Sequence, residues 1–442
     1  MALSLDSIYK PLNDFFLQKF AGSGDAAVMF RFSQRSPAFY DNDFLVPQHA
    51  DWGPWPDLAD EQFSVVVDNV PRLDDDGQMV WLITTSQLSD LYKYETLDQA
   101  IPFVPGDVTD DAEKQARIDA FNTAKADAMR FWDTIAMTPS LLEGPAVKFR
   151  SSTAHPKRWW DKTDASWTSQ SFQVKGAATS RGQPAQPSNQ LLRMKVSDTV
   201  LKSVVQSYTA TASPPPSSAA PVAAVGPSFA TRAAFSRSSP MIMIGRQVIA
   251  DRKGVAIARE QDATPSIRTF PFKQRVQILS DLTTTAQTQP LTTNDVTISF
   301  DYCVVDVRRE WLHMAFINNR SWRIPGQAKG QLSANDGHGL PALPVGFVAV
   351  KALNIQAPWT QEDITNLEQS VQFGPFNIDS QIVKNTVGHE GIQIIGWMLQ
   401  PLPDLPPNDL SSLQGTSPSP SNQTTPTPPS ADAGATPEQP KT

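Results

Sequence analysis

The stretch DYCVVDVRREWLH, running from Asp301 to His313, concentrates residue types that can do chemistry. It holds the chain's only cysteine, Cys303, followed by Arg308, Arg309, Glu310 and His313. A thiol with an imidazole base is a nucleophilic pair if the sulfur is electropositively placed and partly exposed. The pattern argues for a different setting. Phe300, Tyr302 and Val304 alternate with Cys303, Val305 and Val307, so both faces of a strand here are apolar. A strand of that kind lies sandwiched inside a sheet. Cys303 is then a small buried hydrophobe, and the charged run after it marks the strand leaving the core. No catalytic residue is assigned. An enzyme reading would have to use His313, Arg308 and Glu310 at a site between domains.

Metal and phosphate chemistry find no better footing. The five histidines, His49, His155, His313, His338 and His389, are nowhere paired at helical spacing. GHEGIQ opens like a zinc-binding helix but lacks the second histidine, and its glycines oppose a helix. RLDDDGQ opens like a calcium loop, yet Ile83 stands where the closing acid belongs. GSGDAA follows a helical pattern rather than a strand, which is the wrong context for a dinucleotide loop. One cysteine excludes disulfides within the chain and multi-thiolate zinc sites. No metal site and no cofactor are expected.

Tryptophan and charge carry more. Trp52 and Trp55 lie in DWGPWPD, and Trp159, Trp160 and Trp167 lie in KRWWDKTDASW. Indoles bury large area and suit interfaces. The net charge is -8, which disfavours nucleic acid. Charge is also polarised along the chain. Asp41 to Gln78 holds ten acids and one arginine, whereas Ser228 to Arg275 holds nine basic residues and three acids. Opposite patches can dock onto each other or onto neighbouring copies. The interaction candidates are therefore Trp52, Trp55, Trp159, Trp160 and Trp167, with Arg246, Arg252 and Lys253 from the basic segment. A glycan reading rests on the tryptophans alone. A membrane reading rests on the basic segment and an amphipathic first helix.

The elements that must position these residues follow from periodicity. Ile8, Leu12, Phe15, Phe16 and Phe20 predict a first helix, with Gly22 as its cap. AAVMFRF, FSVVVDNV, MVWLITT and SWTSQSFQVKG read as strands, with a hairpin turn at Asp76-Gly77. A helix starts at Thr109 or Asp110, stops at Pro139, and carries Ile118, Phe121, Ala128, Phe131, Trp132 and Ile135 on one face. SDTVLKSVVQSY predicts another. Later come short β-branched runs: MIMIGRQVIA, GVAIA, RVQIL, VTISFDYCVVDV, GFVAVKALNI and GIQIIGWML.

The expected class is α+β. A mixed domain over 1–208, with a polar loop at about 176–190, joins through a Pro/Ala/Ser-rich linker over 209–239 to a β-rich domain over 240–409. That domain is expected to be a mainly antiparallel sandwich or barrel, and 410–442 a disordered tail. With no signal-peptide pattern, a cytoplasmic location is expected. The leading functional expectation is a non-enzymatic structural or interaction protein that associates with a protein partner or with itself. An enzyme of unrecognised type and a soluble membrane-acting protein are the alternatives.

Overall fold

The computed structural model describes residues 5–20, 28–33, 36–45, 53–73, 79–80, 87–175, 291–293, 295–335, 339–368, 370, 372–379 and 382–409. Trp52, His49, His338, Arg246, Arg252, Lys253, the expected linker, the helix SDTVLKSVVQSY, the β-branched runs before residue 291 and the expected tail from 410 lie outside the described residues.

The class is α+β, built on an antiparallel sheet of nine strands. These are β1 (Met29–Phe32), β2 (Ala38–Phe39), β3 (Thr153–His155), β4 (Thr168–Lys175), β5 (Asp295–Arg308), β6 (Ala342–Gln356), β7 (Ile382–Val383), β8 (Thr386–His389) and β9 (Ile392–Pro401). They run in five lanes. β1 and β2 lie end to end along β9, β9 and β8 lie along β6, and β6 lies beside β5. β3 and β4 line the far side of β5, and β7 hangs on β8. Four strands come from before residue 176 and five from after 294, so the two regions share one sheet.

Side chains alternate across a strand, so β5 and β6 split their apolar residues between two cores. Val296, Ile298, Phe300 and Tyr302 enter one core with Val348 and Val350. Cys303 and Val305 enter the other with Phe347 and Ala349. Beyond Val350 the parity of β6 changes, because Leu353 and Ile355 join the first core. The cause is a bulge. Ser299 pairs with Asn354 but Asp301 pairs with Lys351, which leaves two residues of β6 opposite Phe300. Ala352 takes the left-handed conformation there, with φ 50. Without the extra residue, Leu353 and Ile355 would turn to the opposite face.

Each face has its own cover. Helix α1 (Leu5–Phe20) buries Ile8, Leu12 and Phe16 against the first face. Pro11 lies inside this helix rather than in its first turn. On the second face lies α2 (Pro56–Val67), which buries Ala59, Phe63, Val66 and Val67. Its second half falls in FSVVVDNV, so the expected strand there is a helix. Pro56 at the start and Asp57 in the first turn favour the helix end. The β-branched penalty is only tenths of a kcal/mol per residue, less than the burial of Phe63 against Phe347 and Trp159 returns.

A third core lies beyond the end of β5. Helix α3 (Asp111–Thr134) is capped by Asp110, whose carboxylate accepts from Ala112 N at 2.9 Å. It buries Phe121, Ala128 and Trp132 against Tyr92, Trp311, Phe316 and Leu97. Phe131, expected on the same face, is 43% exposed and stacks on His313 instead. Thr168–Lys175 and Asp295–Arg308 confirm the strands expected at SWTSQSFQVKG and VTISFDYCVVDV. Arg72–Leu73 pairs with Met79–Val80 around the expected hairpin turn.

The bulge can be tested directly. A left-handed conformation costs an L-residue about 1–2 kcal/mol, and more when it is β-branched. Ala352→Gly should leave stability within about 1 kcal/mol of the parent, and Ala352→Val should lose at least about 1 kcal/mol more than glycine does. Urea unfolding midpoints read both, and equal midpoints for the two variants would refute the strained bulge.

Candidate functional site

The expected tryptophan cluster becomes one ordered turn between β3 and β4. Asp161 organises it. Its carboxylate accepts from Thr163 N at 2.8 Å and from Thr163 Oγ1 at 2.7 Å, and its carbonyl accepts from Trp167 Nε1 at 2.8 Å. These bonds from Thr163, aided by Arg158, hold the Asp161 carboxyl below the usual carboxylate range. Asp164 repeats the device on Ser166 N at 3.0 Å. Such side-chain to backbone bonds fix loop geometry without a sheet ladder.

The adjacent indoles part ways. Trp159 is 1% exposed, and its ring centroid lies 5.4 Å from both Phe39 and Phe347. It anchors the turn in the second core. Trp160 is half-buried on Phe44 at 5.7 Å. Trp167 is half-buried under the Lys351 ammonium, 4.8 Å from the ring centroid, a cation–π geometry. Trp55 is half-buried before α2, and its main-chain N–H donates to Phe44 O at 2.7 Å. Phe44 thus draws Trp55, Trp159 and Trp160 together. Charges ring the turn in pairs: Lys162 with Asp41 at 2.7 Å, Lys157 with Asp60 at 3.6 Å, and Arg158 with both Asp161 and Asp164.

The stretch from Asp301 to His313 resolves differently. Cys303 is 1% exposed, and burial pushes its thiol up, away from thiolate chemistry. Arg308 and Glu310 are exposed, whereas Arg309 between them is buried. The Arg309 guanidinium donates to Pro344 O at 2.6 Å and to Val67 O at 2.7 Å. It therefore caps the last carbonyl of α2, that of Val67, and ties it to the start of β6. Burial pulls it down to about 10, against the attraction of Asp68. Asp68 is buried in turn and accepts from Ser89 N at 2.8 Å and Ser89 Oγ at 2.6 Å. Burial raises it to about 6, despite those bonds and Arg309. Arg150 lies 3.7 Å over the Trp132 ring and donates to Trp132 O at 2.8 Å and to Ile135 O. Glu61, raised by burial, accepts from Ser140 Oγ and from Leu141 N at 2.7 Å, which fastens the hairpin of Met137–Ser140 and Gly144–Arg150 to α2. The four buried charges, Arg309, Asp68, Arg150 and Glu61, each bond at least one main-chain group.

Sequence reasoning missed one pair. His389 is buried at the end of β8, its Nδ1 3.2 Å from Asp379 Oδ1. Asp379 Oδ2 also accepts from Glu390 N at 3.1 Å, so the pair closes the bend into β9. The ten-residue separation of the two gives no periodic signal. His155 is exposed on β3. No group of three metal-ligating side chains exists among the described residues.

Two expectations follow. Trp159→Ala should cost about 3–5 kcal/mol, as buried aromatic truncations do, and Trp160→Ala about 1 kcal/mol or less. Equal costs in urea unfolding would refute the split between anchor and surface indole. For Asp68, the folded carboxyl at about 6 lies above the ordinary 3.8. The native state then binds the proton more tightly, so stability falls as pH rises from about 4 to about 6 and stays lower above. The loss is on the order of 3 kcal/mol. Asp68→Asn should remove this fall, so the parent-minus-variant stability difference should drop between pH 4 and pH 7. A pH-independent difference would refute it.

The chain matches no protein-family model, no curated protein and no solved structure.

Proposed function

We propose that this protein is a non-enzymatic structural or interaction component of a larger protein assembly. The observation that carries the reading is the turn from Pro156 to Trp167. It offers two half-buried indoles, Trp160 and Trp167, on a base that Trp159 and two Asx-type turns hold rigid. Rigid aromatic anchors bind partners at low entropic cost. The surrounding ion pairs supply a polar rim. The buried charges support the same reading, because Arg309, Arg150, Glu61 and Asp68 spend their hydrogen bonds on the main chain and on Ser89 and Ser140. The partner is a protein, including a further copy of this chain. No helix among the described residues is long and apolar enough to cross a membrane.

The test is native mass by light scattering at low and high salt, with negative-stain images of the same fractions. A defined oligomer is expected. The double change Trp160→Ala with Trp167→Ala should loosen it by about tenfold or more, as loss of hot-spot indoles does, while the unfolding midpoint moves little. A monomer at every salt and concentration, with no co-purifying chain, would overturn the reading.

A further inference from the structure

The sheet ends on β4, and this edge differs from every other exposed strand of the described residues. β4 is 8 residues long and pairs with β5 in unbroken register, Thr168 with Tyr302 through Lys175 with Asp295. Its other edge makes no main-chain hydrogen bond to any described residue. Five of its residues are exposed, Gln170 and Phe172 are half-buried, and Val174 alone is buried.

Proteins protect such edges with proline, charge, bulges or brevity. This chain does so elsewhere. The exposed hairpin carries Pro139 on one strand and Pro145 and Lys148 on the other. β1 carries Arg31 and is 4 residues long, and β3 is 3 residues long. From Thr168 to Val174 the sequence TSQSFQV has no charge, no proline and no glycine, and its register has no bulge. A long, straight, neutral edge is a template for a further strand.

We infer that β4 is a pairing edge for β4 of a second copy of this chain, antiparallel about a two-fold axis, so that the two sheets run on as one. Three features of the strand select a copy over an unrelated strand. A two-fold axis places identical side chains near each other, which punishes charge, and the middle of β4 is neutral. The axis must stand normal to the sheet, so both α1 faces fall on the same side. Phe172, half-buried between Phe15 at 5.4 Å and Phe300 at 5.9 Å, then meets its counterpart and extends the first core across the axis. The strand ends also tolerate a copy. Lys175 makes no ion pair among the described residues. Antiparallel pairing that sets Phe172 by its counterpart keeps the two lysines roughly 20 Å apart, so the one charge of the strand meets no like charge. Trp167, one residue before β4, joins the same interface. This inference rests on the assembly reading and names its partner.

The experiment uses the full chain. Sedimentation velocity over a wide concentration range gives the dimer constant, and hydrogen exchange at both ends of that range reads the amides of 168–175. Dimerisation should slow exchange in 168–175. Ser171→Lys and Ser171→Glu, at an exposed mid-strand position, should each weaken the dimer by about tenfold or more through like-charge opposition. Mixing the two variants should restore a dimer. Circular dichroism and unfolding midpoints check that each variant folds, and exchange in the unmodified chain decides the matter if one does not. A dimer that leaves 168–175 exchanging freely, or that both charged variants keep, would overturn the edge and leave the assembly reading standing. A monomer throughout would overturn the edge and self-assembly together.

Discussion

Two neighbouring strands with apolar residues on both faces set the terms for the rest of this fold. Once β5 and β6 pair, neither face can be left to water, and the chain must supply two covers. α1 and α2 are those covers, one on each side. Their positions in the sequence are remote from the strands they serve: Leu5–Phe20 and Pro56–Val67 pack on strands that begin at Asp295 and Ala342. The bulge at Ala352 belongs to the same constraint. It lets one long strand keep feeding the α1 core after its natural alternation would have turned away. Gly396 does comparable work in β9, where the Phe30 ring occupies the space a side chain would need.

Joining a third core to this sandwich of helix, sheet and helix requires polar connectors. Arg309 is the main one. It leaves the end of β5, enters the interior and bonds carbonyls of α2 and β6 at once. A guanidinium suits this task because its fork can satisfy separate acceptors in fixed geometry. The cost is a buried cation, offset by Asp68 nearby. Asp68 in turn is held by Ser89, so the charge pair also sets where the segment leading into the π-helical turn Leu91–Leu97 begins. The result is electrostatics used for alignment, with each buried charge answering to peptide groups.

Legibility in the sequence followed the strength of periodic signals. β5, β6 and β9 could be read because each is a long, largely apolar run, rich in β-branched residues and bounded by turn residues. α3 could be read from its cap and its alanines, but it ends at Thr134, before the expected stop at Pro139, which lies in the strand Met137–Ser140. The α2 segment was misread because three consecutive valines look like strand, and their helix exists through contacts with Phe347 and Trp159 that lie far away in sequence. The bulge left no mark, since Ala352 stands where glycine would have announced it. Burial of Cys303 was legible from its neighbours. Nothing in the spacing divides Trp159 from Trp160, because which of two adjacent turn residues enters the core depends on Phe39 and Phe347, remote in sequence. His389 with Asp379 and Arg309 with Val67 are contacts of tertiary structure, invisible to spacing.

The pairing of Lys175 with Asp295 has a topological consequence. β4 and β5 are hydrogen-bonded neighbours, yet residues 176 to 294 lie between them in the chain. Whatever conformation those residues take, their two ends are clamped about 5 Å apart. The whole stretch is therefore an insertion at the tip of a β-hairpin. Closing such a loop costs entropy that grows only logarithmically with length, about 0.6 kcal/mol for each doubling. The scaffold thus tolerates large changes of length at this one point, and the hairpin tip is a port through which sequence can be gained, lost or exchanged without rebuilding the sheet.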